Sequence, residues 1–154
     1  MNNGMKLVVK HYNELTRDEL YEILKARSIV FIVEQDCPYL DPDGKDKVSY
    51  HVWLENDDGS VEAYLRVLPV GVSCEENSIG RVITVHHGMG YGNIILREGI
   101  RVAKEKFNAQ AIRIHAQAYA RGYYEKHGFR VTCEETFLED GIPHLEMLWE
   151  ADKQ

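Results

Sequence analysis

Along the 154-residue chain the spacing of apolar residues switches repeatedly between the alternation of a strand and the three-to-four-residue repeat of a helix. A short β-rich run, Lys6 to Tyr12, comes first. Thr16 with Glu19 three residues later forms a capping-box signature. Leu20, Ile23, Leu24 and Ile29-Val30 then recur at helical spacing, which predicts a helix from about Arg17 to Ile29. Residues 36 to 46, rich in aspartate with two prolines and a glycine, predict a long loop. Apolar runs at His51 to Glu55 and Val61 to Leu68 flank Asn56-Asp-Asp-Gly59, a hairpin turn. Turn-forming residues fill Gly71 to Asn77, and the run Ser78 to Val85 follows, so residues 50 to 85 read as an antiparallel meander.

A glycine-rich stretch, His87-Gly-Met-Gly-Tyr-Gly92, leads into a helix from Asn93 to about Asn108, carried by Ile94, Ile95, Ile100, Val102 and Ala103. Ala111 to Ala116 then predicts a strand, Tyr119 to His127 a short helix stopped by Gly128, and Phe129 to Thr136 another strand. Glu139-Asp-Gly-Ile-Pro143 makes a turn before a last strand through Trp149. Nothing repeats and no linker interrupts the chain, so residues 1–154 are expected to form a single α+β domain with a mixed, mostly antiparallel sheet.

Charge narrows the partners. With 18 basic and 25 acidic side chains the formal charge is −7, which argues against nucleic acid or an anionic membrane and suits a cationic or neutral substrate. No apolar run approaches the roughly 20 residues of a membrane span, and the first residues lack a basic-then-apolar signal, so the expected location is cytoplasmic. Cys37, Cys74 and Cys133 are odd in number and far apart, which argues against a disulfide framework and against a cysteine metal site.

The glycine stretch carries the first chemistry. A turn of this kind between strand and helix leaves backbone N–H groups aimed at one point with the positive helix end behind them, an arrangement that cradles phosphate. It lacks the Lys-Ser/Thr of a P-loop and the glycine spacing of a dinucleotide fingerprint, and by itself it also fits a tight surface turn.

This order of elements, with a phosphate loop leaving the fourth strand, resembles the GNAT acetyltransferases. Their loop motif, Arg/Gln-x-x-Gly-x-Gly/Ala, falls on His87, Gly90 and Gly92, with histidine in the first position. A second family pattern, Asn-x-x-Ala-x-x-x-Tyr-x-x-x-Gly-Phe, falls on Gln117, Ala120, Tyr124, Gly128 and Phe129. The segments Arg27 to Gly44, Ala116-Gln-Ala118 and Asp140-Gly-Ile-Pro-His144 resemble the ElaA-type branch in particular. The resemblance implies a GNAT-like fold, six to seven strands flanked by about four helices, and an enzyme using acetyl-CoA as co-substrate with no metal.

It further implies that the strand ending at Val85 splays from Ala111 to Gln117 to give the thioester a slot. The pyrophosphate would lie on His87, Gly88, Met89, Gly90, Tyr91, Gly92 and Asn93. The pantetheine arm would pair with Ile83, Thr84 and Val85 and pass Gln117 and the small Ala120. The acceptor would be a primary amine of a small molecule or a peptide, and a homodimer is left open.

Acyl transfer to an amine needs a deprotonated amine, a polarised carbonyl and a proton for the departing thiolate. Tyr124, four residues beyond Ala120 on the same helix face, is the candidate acid; the alternative is a core tyrosine, and Tyr123 faces elsewhere. Strand 78 to 85 carries no carboxylate, which leaves Glu34 and His144 as candidate bases, against a structural cap and a satisfied imidazole. Aspartates 36, 41, 43 and 46, with 57 as a possible fifth member, fail the EF-hand spacing and are expected to be a solvated acidic rim. The 36 to 46 loop, with Glu34, would then wall the acceptor pocket and favour cationic amines. A non-catalytic acyl-CoA-binding or sensing module is the alternative to an enzyme.

Overall fold

A computed structural model describes residues 5–154. Four strands, β1 (Lys6–His11), β2 (Tyr50–Glu55), β3 (Val61–Leu68) and β4 (Ser78–Thr84), pair antiparallel in chain order, which is the expected meander with the N-terminal run added at its edge. A second group holds β5 (Ala111–Gln117), β8 (Ile142–Glu150) and β6 (Arg130–Val131), with β7 (Phe137–Glu139) also on β8. Three α-helices complete the described chain: α1 (Arg17–Arg27), α2 (Tyr91–Phe107) and α3 (Arg121–Glu125). Two of the eight strands are only two and three residues long.

The first sheet is covered on both faces, and the period-2 alternation assigns each residue to one of them. Val52, Leu54, Ala63, Leu65 and Val67 join Ile95, Leu96 and Val102 of α2 in one core, whereas Trp53 and Tyr64 join Ile23 and Ala26 of α1 in the other. Gly99 lets α2 lie close on β3, since a Cβ there would stand 2.7 Å from Leu65 Cδ2.

Thr16 caps α1 as expected: Glu19 N donates to Thr16 Oγ1 at 3.0 Å and Thr16 N to Glu19 Oε1 at 2.8 Å. The helix then widens into a π-helical turn over Ser28–Glu34, which turns Glu34 and Gln35 toward the cavity described below. Such turns recur at functional sites. The run expected as a strand from Phe129 to Thr136 pairs only at Arg130 and Val131. Beyond it, Cys133 to Thr136 are exposed, so no apolar face holds them on the sheet. The turn at 139–143 is a two-residue hairpin, with Asp140 and Gly141 both at positive φ (51° and 78°), and it creates β7 as its first arm. No helix among the described residues is long and apolar enough to cross a membrane.

Candidate active site

β4 and β5 run side by side and are joined at Asn77 and Ile112, where Arg113 N donates to Asn77 O at 2.9 Å. Beyond that bridge the two strands diverge, and a cavity of about 690 Å³ opens between them, within the range of small-molecule sites. The backbone of β4 determines what the slot offers. Val85 N donates to Glu62 O at 2.8 Å, so by antiparallel alternation Val85 and Ile83 turn their polar groups to β3. Thr84, between them, presents its N–H and C=O to the open edge. Of the three residues expected to pair with the pantetheine arm, Thr84 is thus the one whose backbone faces the slot. Further back the register shifts, and Arg81 takes φ 54°, a β-bulge with a non-glycine residue in the left-handed region beside the cavity.

The glycine loop forms the mouth of the cavity. Gly88 and Gly90 take φ of 78° and 80°, and Gly90 is the N-cap of α2, so no side chain of the capping residue covers the start of that helix, the end at which anions bind. At Gly92 a Cβ would lie 3.4 Å from the Tyr123 ring, whose hydroxyl donates to Gly92 O at 2.6 Å. His87, Gly88, Met89, Gly90, Tyr91 and Gly92 all line the cavity. The Asn93 side chain is turned away from it, its Oδ1 lying 3.0 Å from His127 Nε2. His87 is not a free phosphate donor here: its Nε2 lies 2.6 Å from Glu34 Oε1 and its Nδ1 3.2 Å from Thr84 Oγ1.

Tyr124 and Ala120 line the same cavity from α3 and the short turn before it. Tyr124 is 8% exposed, its ring packed edge-on to Tyr123 and Phe129, and burial pushes its phenol well above the ordinary value. Among the described residues its hydroxyl has no hydrogen-bond partner. It is therefore a protonated donor without an acceptor at the edge of the slot. Tyr123 is committed to Gly92 and ties α3 to the glycine loop.

The far wall is built by strict alternation on β5. Ile112, Ile114 and Ala116 go to the core, and Arg113, His115 and Gln117 to the cavity. Gln117 exchanges amide hydrogen bonds with Gln35 at 3.2 and 3.4 Å, which closes the slot over the π turn. Opposite Gln117 in register stands His144, 8% exposed, its Nδ1 2.7 Å from Ile142 O. A carbonyl only accepts, so Nδ1 carries the hydrogen and Nε2 keeps its lone pair in the neutral ring. Two groups on this wall escaped the sequence reading. Glu139 lies 2.6 Å from His115 Nδ1 through Oε1 and 3.7 Å from His144 Nε2 through Oε2. The hydrogen bond to His115 holds the Glu139 carboxyl below its usual range and raises the His115 imidazole. The signals were present in the alternation of Arg113, His115 and Gln117, and in the Asp-Gly pair that sets Glu139 across from Ile142.

The acidic rim expected of five aspartates holds at the exposed Asp36 and Asp57 but not at the other three. Asp41 and Asp46 are buried, and with Asp43 they meet three arginines. Arg27, fully buried, lies 2.8 Å from both Asp41 and Asp46. Arg66 binds Asp43 at 2.6 Å and Asp46 at 2.9 Å, and Arg81 lies 2.9 Å from Asp41. Burial alone would raise the carboxyls of Asp43 and Asp46, but the arginine hydrogen bonds and charges outweigh it and hold both low. Three charges of each sign cancel, so the loop is an internal ionic clamp. Of these aspartates Asp43 reaches the cavity, already engaged by Arg66, which withdraws the argument from this loop for cationic acceptors.

A splayed pair of strands, a glycine loop leaving the first of them and a tyrosine donor beside the gap define a class. Residues 71–151 match the family of the acetyltransferase (GNAT) domain, and the chain belongs to that family, in its ElaA-type branch. Protein ElaA of Escherichia coli is 34% identical over 145 residues, covering 92% of this chain and 94% of its own. Its crystal structure superposes with a TM-score of 0.86 at 31% identity, over 95% of this chain and 99% of that one. An acyl-CoA N-acyltransferase from Pseudomonas aeruginosa superposes equally well (TM-score 0.86) at 35% identity, over 94% and 99% of the two chains.

Proposed function

We propose that this chain, acting as a single domain, moves an acetyl group from acetyl-CoA to a primary amine of a small molecule or peptide by direct attack. The observation that carries this reading is the slot itself, where the Thr84 edge, the Tyr124 hydroxyl and the His144 imidazole meet one cavity. Held by the loop and the Thr84 edge, the thioester lies between donor and base. The amine nitrogen bonds to the carbonyl carbon, the C–S bond breaks, and its electron pair leaves on sulfur. Tyr124 gives that thiolate a proton, and the protons shed by nitrogen leave through the base. Holding the two reactants in line removes much of the entropic barrier. Of the two candidate bases, His144 has a fixed tautomer and a lone pair in the cavity wall, whereas Glu34 is spent on His87. A module that only binds or senses acyl-CoA would need neither His144 nor Tyr124 at the slot.

Thiol release from acetyl-CoA, measured against a panel of polyamines, aminoglycosides, amino acids and peptides, tests the reading. Release should depend on an acceptor. The double change Gly90→Val and Gly92→Val should weaken acetyl-CoA binding tenfold or more, about 1.4 kcal/mol, with the fold intact by circular dichroism. Tight acetyl-CoA binding with no acceptor-dependent release across the panel would instead favour the sensing module.

A further inference from the structure

The strand that leads into the glycine loop lacks a carboxylate, yet the cavity has one on its other wall, supplied by the β7–β8 hairpin. Glu139 is anchored at one oxygen. His115 Nδ1 donates to Oε1 at 2.6 Å, a hydrogen bond that fixes the carboxylate plane and leaves Oε2 toward His144. Oε2 and His144 Nε2 are 3.7 Å apart, too far for a hydrogen bond to each other. A nitrogen placed about 2.8 Å from both closes the triangle, which is the ordinary length of a charge-assisted N–H···O contact. Both atoms accept: the carboxylate by its charge, and Nε2 because Nδ1 is tied to Ile142 O. Phe137 stands edge-on to His115 and stacks on His144, so both rings are held in position.

From this geometry we infer that Glu139 and His144 together seat the ammonium group of the acceptor, with Glu139 as a further catalytic residue and His115 as the positioning residue that aims it. The inference rests on the amine-acetylation reading above and names the acceptor class of the same site: a protonated primary amine, drawn in as a cation. One N–H of the ammonium points to Glu139 Oε2 and another to Nε2. The N–H bond facing His144 breaks, its proton goes to Nε2, and its electron pair stays on nitrogen for the attack. The imidazolium formed lies 3.7 Å from the Glu139 carboxylate, which stabilises it. The seat takes over the role expected of the acidic loop, whose charges are cancelled by arginine.

Among the described residues, charged groups that also act on this cluster are Lys45 and Glu146, on His115, and Arg81, on Glu139. Each is retained in the variants below, so a change in titration reports on the substituted residue.

The test uses the whole chain, n-butylamine as a minimal probe, and the ring signals of His115 and His144 by NMR. In the wild-type protein the amine should perturb the His144 ring, and Glu139→Gln should abolish the perturbation. Glu139→Gln should also lower the titration midpoint of His115, with acetyl-CoA affinity unchanged. In turnover with the best amine of the panel, Glu139→Gln should raise KM tenfold or more and move the acidic limb of kcat/KM to lower pH. His115→Gln should give the same shift in smaller measure, because the carboxylate remains but is no longer aimed. Unaltered n-butylamine binding in Glu139→Gln, or a His115 midpoint that does not move, would overturn the seat. The two readings fail separately: full turnover in Glu139→Gln sinks the seat and leaves the reaction. Amine binding lost in that variant, from a wild-type protein that releases no thiol, sinks the reaction and leaves the seat.

Discussion

His87 Nε2 lies 2.6 Å from Glu34 Oε1, so the imidazole at the first position of the phosphate-loop motif is held by a carboxylate 53 residues away in sequence. Both side chains are largely exposed, at 62% and 43%, which limits the pair to the range of surface ion pairs. A carboxylate at this point also opposes the phosphates of coenzyme A that the loop would receive.

Glu34→Gln should therefore tighten acetyl-CoA binding by about two- to fivefold, the equivalent of roughly 0.4–1 kcal/mol. His87→Ala should weaken it by a similar factor, and isothermal titration calorimetry at low salt reads both. If Glu34→Gln instead lowers turnover a hundredfold at unchanged cofactor affinity, Glu34 is the base and His144 is not.

The two adjacent tyrosines should separate cleanly. Tyr124→Phe removes an unpaired hydroxyl at the slot and should cut kcat by about 10²- to 10⁴-fold, with acetyl-CoA affinity nearly unchanged. Tyr123→Phe breaks the hydrogen bond to Gly92 O and should act on the cofactor side, weakening acetyl-CoA by about fivefold, near 1 kcal/mol, with kcat close to normal. Near-full kcat in the 124 variant, with chemistry limiting the rate, would make that residue a packing tyrosine.

The ionic clamp should dominate stability. Arg27→Met leaves Asp41 and Asp46 short of a buried partner and should cost about 3–5 kcal/mol in urea unfolding. A cost under 1 kcal/mol would mean that the loop relaxes to water.

Acid should act through the same residues. Asp43 and Asp46 have folded-state values below the unfolded value near 3.9, so their stabilisation is complete above that pH. It should fade as pH falls through the lower folded values, and Asp43→Asn should flatten that acid limb in a thermal-melt series between pH 5 and 2. An equally steep limb in Asp43→Asn would place the acid sensitivity elsewhere.

Much of the fold is readable locally because its signals lie within a few residues. Thr16 and Glu19 cap one another, Asn56 to Gly59 turns one hairpin, and Leu65 and Tyr64 fall on opposite faces by alternation alone. The glycine loop is equally local, since Gly88 and Gly90 adopt backbone angles that other residues avoid. Where the local signal weakens the reading slips: the 129–136 run contains strand formers, but its second half, Cys133 to Thr136, is exposed and lacks an inward face, and the π turn at 28–34 has an apolar pattern that continues a helix.

The order of elements, the meander, the phosphate loop and the family pattern that falls on Tyr124 are thus legible in the residues alone, whereas the base stays divided between Glu34 and His144. It takes the folded chain to show that β4 and β5 part beyond Asn77, that Thr84 faces the gap, that Asp41, Asp43 and Asp46 are neutralised by Arg27, Arg66 and Arg81, and that Glu139 stands between His115 and His144. Backbone propensities and turns act over a few bonds and are written in neighbouring residues. Charge pairing and the shape of a cavity depend on groups 14 to 40 positions apart coming within 3 Å, as with Arg27 and Asp41 or Arg81 and Asp41, and only the folded chain brings them together.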